Sequence, residues 1–222
     1  MRVAELLNIG RGVTALIGGG GKTTLLETLA RELAPCGRVI LCASTHILRP
    51  EALPIVTGGV EELRDALEHS RVVCAGTPAE RGKLTAPPIP FSALAELAAY
   101  VLVEADGSRG LPFKAHAAHE PAIPPEAQRV VLVLGAGGFG KPVRDVCHRP
   151  ELYAQRAGLA MDAPVTPEAA ARVIRAEGYG DRLLVNQVED EARYRLAAEL
   201  AGLLSCPVTA GSLHKEVYLC LR

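Results

Sequence analysis

The chain has 222 residues, and its 24 Lys and Arg residues nearly cancel its 25 Asp and Glu residues, which leaves a formal net charge of -1. That balance argues against broad electrostatic binding to nucleic acid or to an anionic membrane surface. Hydrophobic residues make up 49% of the chain and charged residues 22%, which is typical of a soluble domain that buries its core without disulfide or metal support.

The six cysteines form no C-x-x-C pair, so neither a zinc ribbon nor a thioredoxin-like motif is predicted. No stretch reaches the roughly 18 apolar residues of a membrane span, and the N-terminus does not have the pattern of a signal peptide. We therefore expect one cytoplasmic domain over residues 1–222, with no nucleic-acid partner and no membrane partner.

Short apolar runs rich in β-branched residues alternate along the chain with helical leucine spacings. In chain order, the patterns predict a strand at 13–17, a helix at 23–33, a strand at 38–43, a helix at 61–68, strands at 71–75, 100–104, 129–134 and 182–186, a helix at 189–204 and a strand at 207–210. This alternation predicts an α/β fold with a mostly parallel central sheet and helices on both faces. Two proline-bearing segments, 77–90 and 106–125, interrupt it and are typical of functional loops.

The first strand runs into a glycine-rich loop and then a helix. The loop consists of Gly18, Gly19, Gly20 and Gly21 followed by Lys22, Thr23 and Thr24. Glycines let several backbone N–H groups point at one spot, and the helix N-terminus adds partial positive charge. Lys22 would reach the β- and γ-phosphates, and the Thr23 hydroxyl would ligate Mg²⁺. The pattern predicts a three-layer P-loop NTPase-like domain that binds ATP or GTP with Mg²⁺.

The common phosphate-loop pattern G-x-x-x-x-G-K-[ST] has a glycine where this chain has Leu16, so we expect the curl to lie in residues 18–21. A second segment, Gly135 to Lys141, also matches G-x-G-x-x-G and G-x-x-x-x-G-K. However, Pro142 follows its lysine and contributes no N–H. We interpret this second segment as a tight turn that lines the site, with a dinucleotide-binding fingerprint as the alternative.

The strand at 100–104 ends in two acids, Glu104 and Asp106. Because the carboxyl ends of parallel strands face the ligand crevice, both acids are candidates for catalysis together with Lys22. One acid would hold Mg²⁺ and the other would position an attacking water or hydroxyl group. We favour Glu104 for the metal without ranking the pair firmly.

Asn186, Gln187 and Glu189 follow another strand and resemble the N-K-x-D element with which P-loop GTPases read guanine. Glu189, or the neighbouring Asp190, would take the place of the aspartate. An ordinary strand-to-helix turn with an acidic first helical turn is the alternative. The choice between ATP and GTP therefore stays open.

Polar clusters in three other loops are weaker site candidates, because a solvated charge is the commoner outcome in a loop. They are Ser44, Thr45 and His46 after the second strand, Arg109, Lys114, His116 and His119 in the loop after Asp106, and His148 with Arg149 before a predicted helix.

Eight motifs, taken in order, resemble the YqeC family, whose members are described as accessory proteins of selenium-dependent hydroxylases. The motifs are GGGGKTT, ASTHILRP, ERGKL, VEADGSRGLPFKAH, HEPAIP, GFGKPV, CHRPEL and LVNQVED. The resemblance spans residues 13–210. It implies a P-loop domain with a role in maturing selenium-containing molybdenum hydroxylases, and therefore a partner among those enzymes or the proteins that supply their cofactor or selenium.

Three functions are compatible with these motifs. The first is a maturation NTPase whose loops around Thr45 and Asp106 switch with the nucleotide. The second is a small-molecule kinase in which Asp106 accepts a substrate proton and Arg109, Lys114 or Arg149 holds the acceptor. The third is a dinucleotide-binding module that uses residues 135–140.

Overall fold

Strands and helices alternate through most of the chain in the computed structural model, which describes residues 1–222. The helices are α1 Val3–Leu6, α2 Lys22–Leu33, α3 Val60–His69, α4 Phe91–Leu97, α5 Val143–Val146, α6 Pro150–Ala157, α7 Pro167–Glu177 and α8 Glu191–Leu203. The strands are β1 Gly12–Gly18, β2 Val39–Ala43, β3 Ile47–Leu48, β4 Ile55–Val56, β5 Val72–Ala75, β6 Thr77–Pro78, β7 Lys83–Thr85, β8 Tyr100–Glu104, β9 Phe113–Lys114, β10 Ala127–Gly135, β11 Cys147–His148, β12 Arg182–Asn186, β13 Val208–Ser212 and β14 Val217–Cys220. Every strand and helix predicted from the sequence is present, with ends shifted by at most two residues.

Nine strands form the central sheet in the order β14-β13-β12-β10-β1-β8-β2-β5-β4. All neighbouring pairs are parallel except β13 with β14. Strand β1 lies between β10 and β8, so the glycine loop at its end meets the carboxyl ends of both neighbours. This arrangement confirms the predicted α/β fold with a mostly parallel sheet.

Helices cover both faces of the sheet, because side chains along each strand point alternately to opposite sides. In β12, Leu184 packs into the cluster that includes α2, whereas Leu183 and Val185 pack into the cluster formed with α7 and α8. Helices α3 and α4 also pack against the sheet, through Leu63 and Leu94. Each of these leucines is at most 1% exposed, and burying such a side chain stabilises the fold by about 2 kcal/mol. The three layers of the predicted fold are present.

The two segments predicted to be irregular contain short strands. In the first, β6 and β7 pair with each other and β7 pairs with β3, which makes a small antiparallel sheet beside the main one. In the second, β9 pairs with β11 in parallel. This second pairing brings the loop after Asp106 next to the segment that carries His148. No helix combines the length and the apolar character needed to cross a bilayer.

Candidate phosphate-binding site

The glycine loop makes a sharp turn between β1 and α2. Gly18, Gly20 and Gly21 have φ values of 95°, 71° and 127°, a region that residues with a Cβ rarely adopt. A Cβ on Gly20 would also lie 2.3 Å from the backbone nitrogen of Gly135. Position 20 therefore requires glycine, because of its backbone angle and because a second chain segment approaches it closely.

The first three amides of the loop are hydrogen-bonded to the protein itself. The N–H of Gly18 donates to Asp106 Oδ2 at 2.8 Å, that of Gly19 to the Val133 carbonyl at 2.8 Å, and that of Gly20 to the Leu111 carbonyl at 3.0 Å. These bonds fix the shape of the loop, and phosphate binding by Gly18, Gly19 and Gly20 stays a prediction.

The N–H groups that remain lie at the start of α2. The first intrahelical bond runs from the Leu25 N–H to the Gly21 carbonyl at 2.9 Å. The N–H groups of Gly21, Lys22, Thr23 and Thr24 precede this bond and have no partner within the helix. An anion is therefore best placed over residues 21–24, slightly further along the chain than the sequence suggested.

The Lys22 ammonium group lies beneath this helix start and is held by three oxygens. It donates to the Gly18 carbonyl at 2.6 Å, lies 3.0 Å from Asp106 Oδ1 and is 3.9 Å from Glu104 Oε1. Lys22 is 4% exposed. The structure thus places a buried lysine between both predicted acids.

The Thr23 hydroxyl meets Glu104 at the end of the neighbouring strand. It donates to Glu104 Oε2 at 3.3 Å. Burial raises the pKa of the Glu104 carboxyl, and the nearby Lys22 charge only partly opposes this shift. A divalent cation would offset the cost of keeping that carboxylate ionised, which makes the Thr23–Glu104 pair a chemically suitable place for Mg²⁺.

Two further hydroxyl groups lie beside this pair. The Ser44 N–H donates to the Glu104 carbonyl at 3.1 Å. The Ser44 Oγ and Thr45 Oγ1 atoms are buried and have no hydrogen-bond partner in the protein. Unpaired buried hydroxyls call for an explanation, and a bound ion with its water shell provides one. His46, in contrast, is exposed.

Asp106 is completely buried and forms the centre of an ionic network. Its Oδ2 atom accepts from the Gly18 N–H and lies 2.6 Å from His116 Nε2 and 3.4 Å from Lys114 Nζ. Burial raises the pKa of this carboxyl, but His116, Lys22 and Lys114 outweigh that effect and hold the pKa well below its usual range. With no exposed surface and all these partners, Asp106 does not fit the predicted alternatives of a metal ligand or a base that contacts substrate.

The other charged candidates lie in the loop after Asp106 and in the segment of His148 and Arg149, and most of them are bonded to partners within the protein. Lys114 donates to the Gly107 carbonyl at 2.6 Å and to Glu120 at 3.1 Å, and Arg149 donates to the same Glu120 carboxylate at 2.9 Å. Burial lowers the pKa of His148, and the charges of Lys114 and Arg149 lower it further. Arg109 is exposed. Lys114 therefore belongs to the interior network, which does not support a role for it in holding an acceptor molecule.

The predicted base-reading segment reaches the glycine loop through Asn186. Its amide donates to the Gly20 carbonyl at 2.8 Å, and its side-chain oxygen accepts from the Leu213 N–H at 3.0 Å. Asn186 is thus a clamp between the loop and the segment after β13. Each half of the Asn186 amide makes one bond and the residue is 6% exposed, so it holds these two segments together.

The residues after Asn186 have separate roles. Gln187 has a φ of 64° and its side chain lies against Gly135. Glu189 accepts from the Ser212 hydroxyl at 3.2 Å, whereas Asp190 caps α8 by accepting from the Arg193 N–H. Both acids border a groove of about 260 Å³, lined by residues 188–191, 194, 210, 211, 217 and 219.

The second glycine segment is a turn that packs on the first. Gly135 approaches the glycine loop at Gly20 and donates its N–H to the Pro112 carbonyl at 3.0 Å. It leads into a three-residue 3₁₀ turn, Ala136–Gly138, and not into a long helix. A Cβ on Gly138 would lie 2.5 Å from the Phe113 ring. These glycines serve close packing, so the dinucleotide-binding alternative has no structural support.

Glu177 and Arg156 are members of the network that the sequence did not indicate. Glu177 is the last residue of α7, 61 positions from its partner His116, and Arg156 lies in α6. A single acid at a helix end carries no sequence signal, because acids are common on helix surfaces.

A mostly parallel sheet with a glycine loop, a Lys-Thr helix start and an acid on the adjacent strand defines a P-loop protein, the class of α/β domains that bind phosphates through this loop. The sequence matches the family described as YqeC protein over residues 14–151. A protein from Escherichia coli (strain K12), named uncharacterized protein YqeC, is 33% identical over 177 residues, which cover 73% of this chain and 67% of that protein. The chain belongs to the YqeC family, as its motifs indicated.

Among solved structures, the chain resembles the 54 kDa protein of the signal recognition particle from Aeropyrum pernix K1, crystallised in complex with GDP. The TM-score is 0.43 and the sequence identity 15%, over 95% of this chain and 44% of that one.

Proposed function

We propose that this protein binds a nucleoside triphosphate with Mg²⁺ at the start of α2 and hydrolyses it. The observation that carries the proposal is the 3.3 Å contact between Thr23 Oγ1 and Glu104 Oε2, with the buried Lys22 ammonium 3.9 Å from the other oxygen of the same carboxylate. It brings together, from two elements 81 residues apart, the hydroxyl and the carboxylate that a phosphate-bound Mg²⁺ ion requires.

Each residue has a defined role in this proposal. The N–H groups of residues 21–24 and the Lys22 ammonium bind the β- and γ-phosphates, and Lys22 leaves the Gly18 carbonyl to do so. Thr23 and Glu104 hold Mg²⁺, which neutralises phosphate charge and orients the terminal phosphoryl group when bound. Thr45 and Ser44 border the ion. Glu189 and the groove beside it are the candidate contacts for the base, so both ATP and GTP remain candidates.

Hydrolysis fits the geometry better than phosphoryl transfer to a small molecule. The kinase alternative needs Asp106 as an accessible base, but Asp106 is 0% exposed and paired with His116, Lys22 and Lys114. Family membership supports the biological setting: we propose that nucleotide turnover serves the maturation of a selenium-dependent molybdenum hydroxylase, through that enzyme or its cofactor or selenium supply. The protein would act there in the cytoplasm as an accessory factor.

The test is calorimetric titration of purified protein with ATP, GTP and CTP, each with and without Mg²⁺. We expect binding that Mg²⁺ strengthens and that Lys22→Ala or Thr23→Ala weakens at least tenfold. Lys141→Ala is the matched control, because Lys141 ends the second G-x-x-x-x-G-K match and is exposed. Loss of binding in Lys141→Ala together with normal binding in Lys22→Ala would reverse the assignment, and no binding by the wild type would refute it.

A further inference from the structure

His116 is buried between two carboxylates. Its Nε2 atom lies 2.6 Å from Asp106 Oδ2, and its Nδ1 atom lies 2.5 Å from Glu177 Oε2. The His116 backbone N–H also donates to Glu177 Oε1 at 2.8 Å. The ring is 1% exposed, so water does not satisfy either nitrogen.

This geometry defines the charge of the ring. A neutral imidazole carries one N–H and one lone pair, and the lone pair would face a carboxylate oxygen at hydrogen-bond distance. An imidazolium donates to both carboxylates, and each contact becomes a charge-assisted hydrogen bond. Both distances are short, as expected for such bonds.

Each ring nitrogen of His116 faces one carboxylate, and other cations contact both carboxylates as well. Asp106 follows β8 and Glu177 ends α7, while the Tyr179 ring packs edge-on against the imidazole. The other ionisable groups bound to or near this pair of carboxylates are Glu104 from β8, Lys22 from α2, Lys114 from β9, and Tyr153 and Arg156 from α6. Lys114 also pairs with Glu120.

We propose that His116 is a positioning residue of the phosphate site: as an imidazolium bonded to Asp106 and Glu177, it fixes the Asp106 carboxylate that holds the Gly18 N–H and the Lys22 ammonium. This inference rests on the proposed nucleotide-binding function. His116 itself contacts neither phosphate nor metal. It acts through Asp106, whose Oδ2 atom accepts from both His116 and Gly18 while Oδ1 pairs with Lys22.

The same contacts tie the loop to the opposite layer of the fold. Glu177 is anchored by Arg156 of α6, so the chain of contacts runs from Lys22 through Asp106 and His116 to α7 and α6. Without the imidazolium, Asp106 would lose its strongest donor and could rotate away from the Gly18 N–H. The Lys22 ammonium, which Asp106 positions, would then be less well ordered before phosphate binds.

The experiment compares His116→Gln with the wild-type protein in calorimetric titrations with the Mg²⁺-nucleotide that the wild type binds best. We expect the dissociation constant of His116→Gln to rise at least about tenfold at a temperature where urea unfolding shows that the variant is folded. His119→Gln is the control, because His119 lies in the same loop and is exposed; its affinity should stay within about twofold of the wild type.

A second measurement does not depend on a folded variant. Nitrogen-15 NMR of the wild-type protein at pH 7 should show a proton on both ring nitrogens of His116, and these signals should move when nucleotide is added. A lone pair on either nitrogen, or wild-type affinity in a folded His116→Gln variant, would overturn the inference while leaving the proposed function intact. A wild type that binds no nucleotide would instead refute the proposed function itself, and the inference with it.

Discussion

The Lys22 ammonium lies 3.0 Å from the Asp106 carboxylate, and both side chains are almost completely excluded from water. In the proposed function, this pair positions the ammonium group that binds the phosphate. Asp106 also lies 2.6 Å from His116 Nε2 and 3.4 Å from Lys114 Nζ. The ammonium can therefore turn from the Gly18 carbonyl to a phosphate oxygen without leaving Asp106 uncompensated.

Replacing Asp106 should destabilise the fold strongly. Asp106→Asn leaves the cations Lys22, Lys114 and His116 buried without their shared counter-charge, and removing one partner of a buried ionic group costs about 3–5 kcal/mol. The free energy of unfolding, measured by urea denaturation, should fall by about that amount. Asp145→Asn is the control, because Asp145 pairs with Arg144 at the surface, where an ion pair contributes about 0–1 kcal/mol. Equal effects of the two substitutions would contradict the network.

Gly20 should be far less tolerant than Gly140, although both have similar backbone angles. The φ values are 71° and 77°, but a Cβ on Gly20 meets the Gly135 nitrogen at 2.3 Å, whereas a Cβ on Gly140 meets nothing within 4 Å. Gly140→Ala should cost about 1 kcal/mol, the strain of a positive φ. Gly20→Ala should cost about 2 kcal/mol more, because the backbone of the second turn must move. Thermal and urea unfolding of both variants will show the difference, and similar losses would mean that the contact with Gly135 is not tight.

Glu104→Gln should separate ion binding from stability. Burial raises the pKa of Glu104, so its ionised carboxylate destabilises the metal-free protein. Replacing it with a neutral amide should therefore leave the free energy of unfolding at pH 7.5 equal to that of the wild type or raise it. The amide still accepts from Thr23 but is a poor Mg²⁺ ligand. Calorimetry should show that Mg²⁺ no longer strengthens nucleotide binding by tenfold or more. A large Mg²⁺ effect in this variant would place the ion elsewhere.

The ionisation of His116 should make stability depend on pH. Burial lowers the pKa of the ring, but the hydrogen bonds with Asp106 and Glu177 raise it more, so the pKa in the folded protein lies above its ordinary value of 6.5. A group with a raised folded pKa stabilises the fold fully below 6.5 and loses that contribution as the pH rises through the folded pKa.

The quantity to measure is the difference in the free energy of unfolding between wild type and His116→Gln. We expect this difference to be largest below pH 6.5 and to shrink as the pH rises from there. Glu104 also has a raised pKa, but it is present in both proteins and its contribution cancels in the difference. A difference that grows above pH 7 would show that the ring is neutral in the folded protein.

Local patterns were enough to predict the elements that carry the site. Residues 13–17 are mostly apolar and include three β-branched residues, and the glycines, Lys22 and Thr23 follow in the order typical of a phosphate-binding strand, loop and helix. The acids Glu104 and Asp106 were found because they end a buried strand, and the parallel sheet brings that strand next to β1. Such features depend on residues that are neighbours in the sequence, where periodicity and turn chemistry are readable.

The tertiary structure alone decided which groups are free to bind and which are already paired. The sequence favoured Glu104 over Asp106 for the metal without ranking the pair firmly. In the structure Asp106 is enclosed by Lys22, Lys114 and His116, whereas Glu104 contacts Thr23. The sequence also could not show that the carbonyls of Val133 and Leu111 accept hydrogen bonds from the N–H groups of Gly19 and Gly20. These pairings join positions tens of residues apart, and whether a polar group is buried, bonded or open is a property of packing that no local pattern encodes.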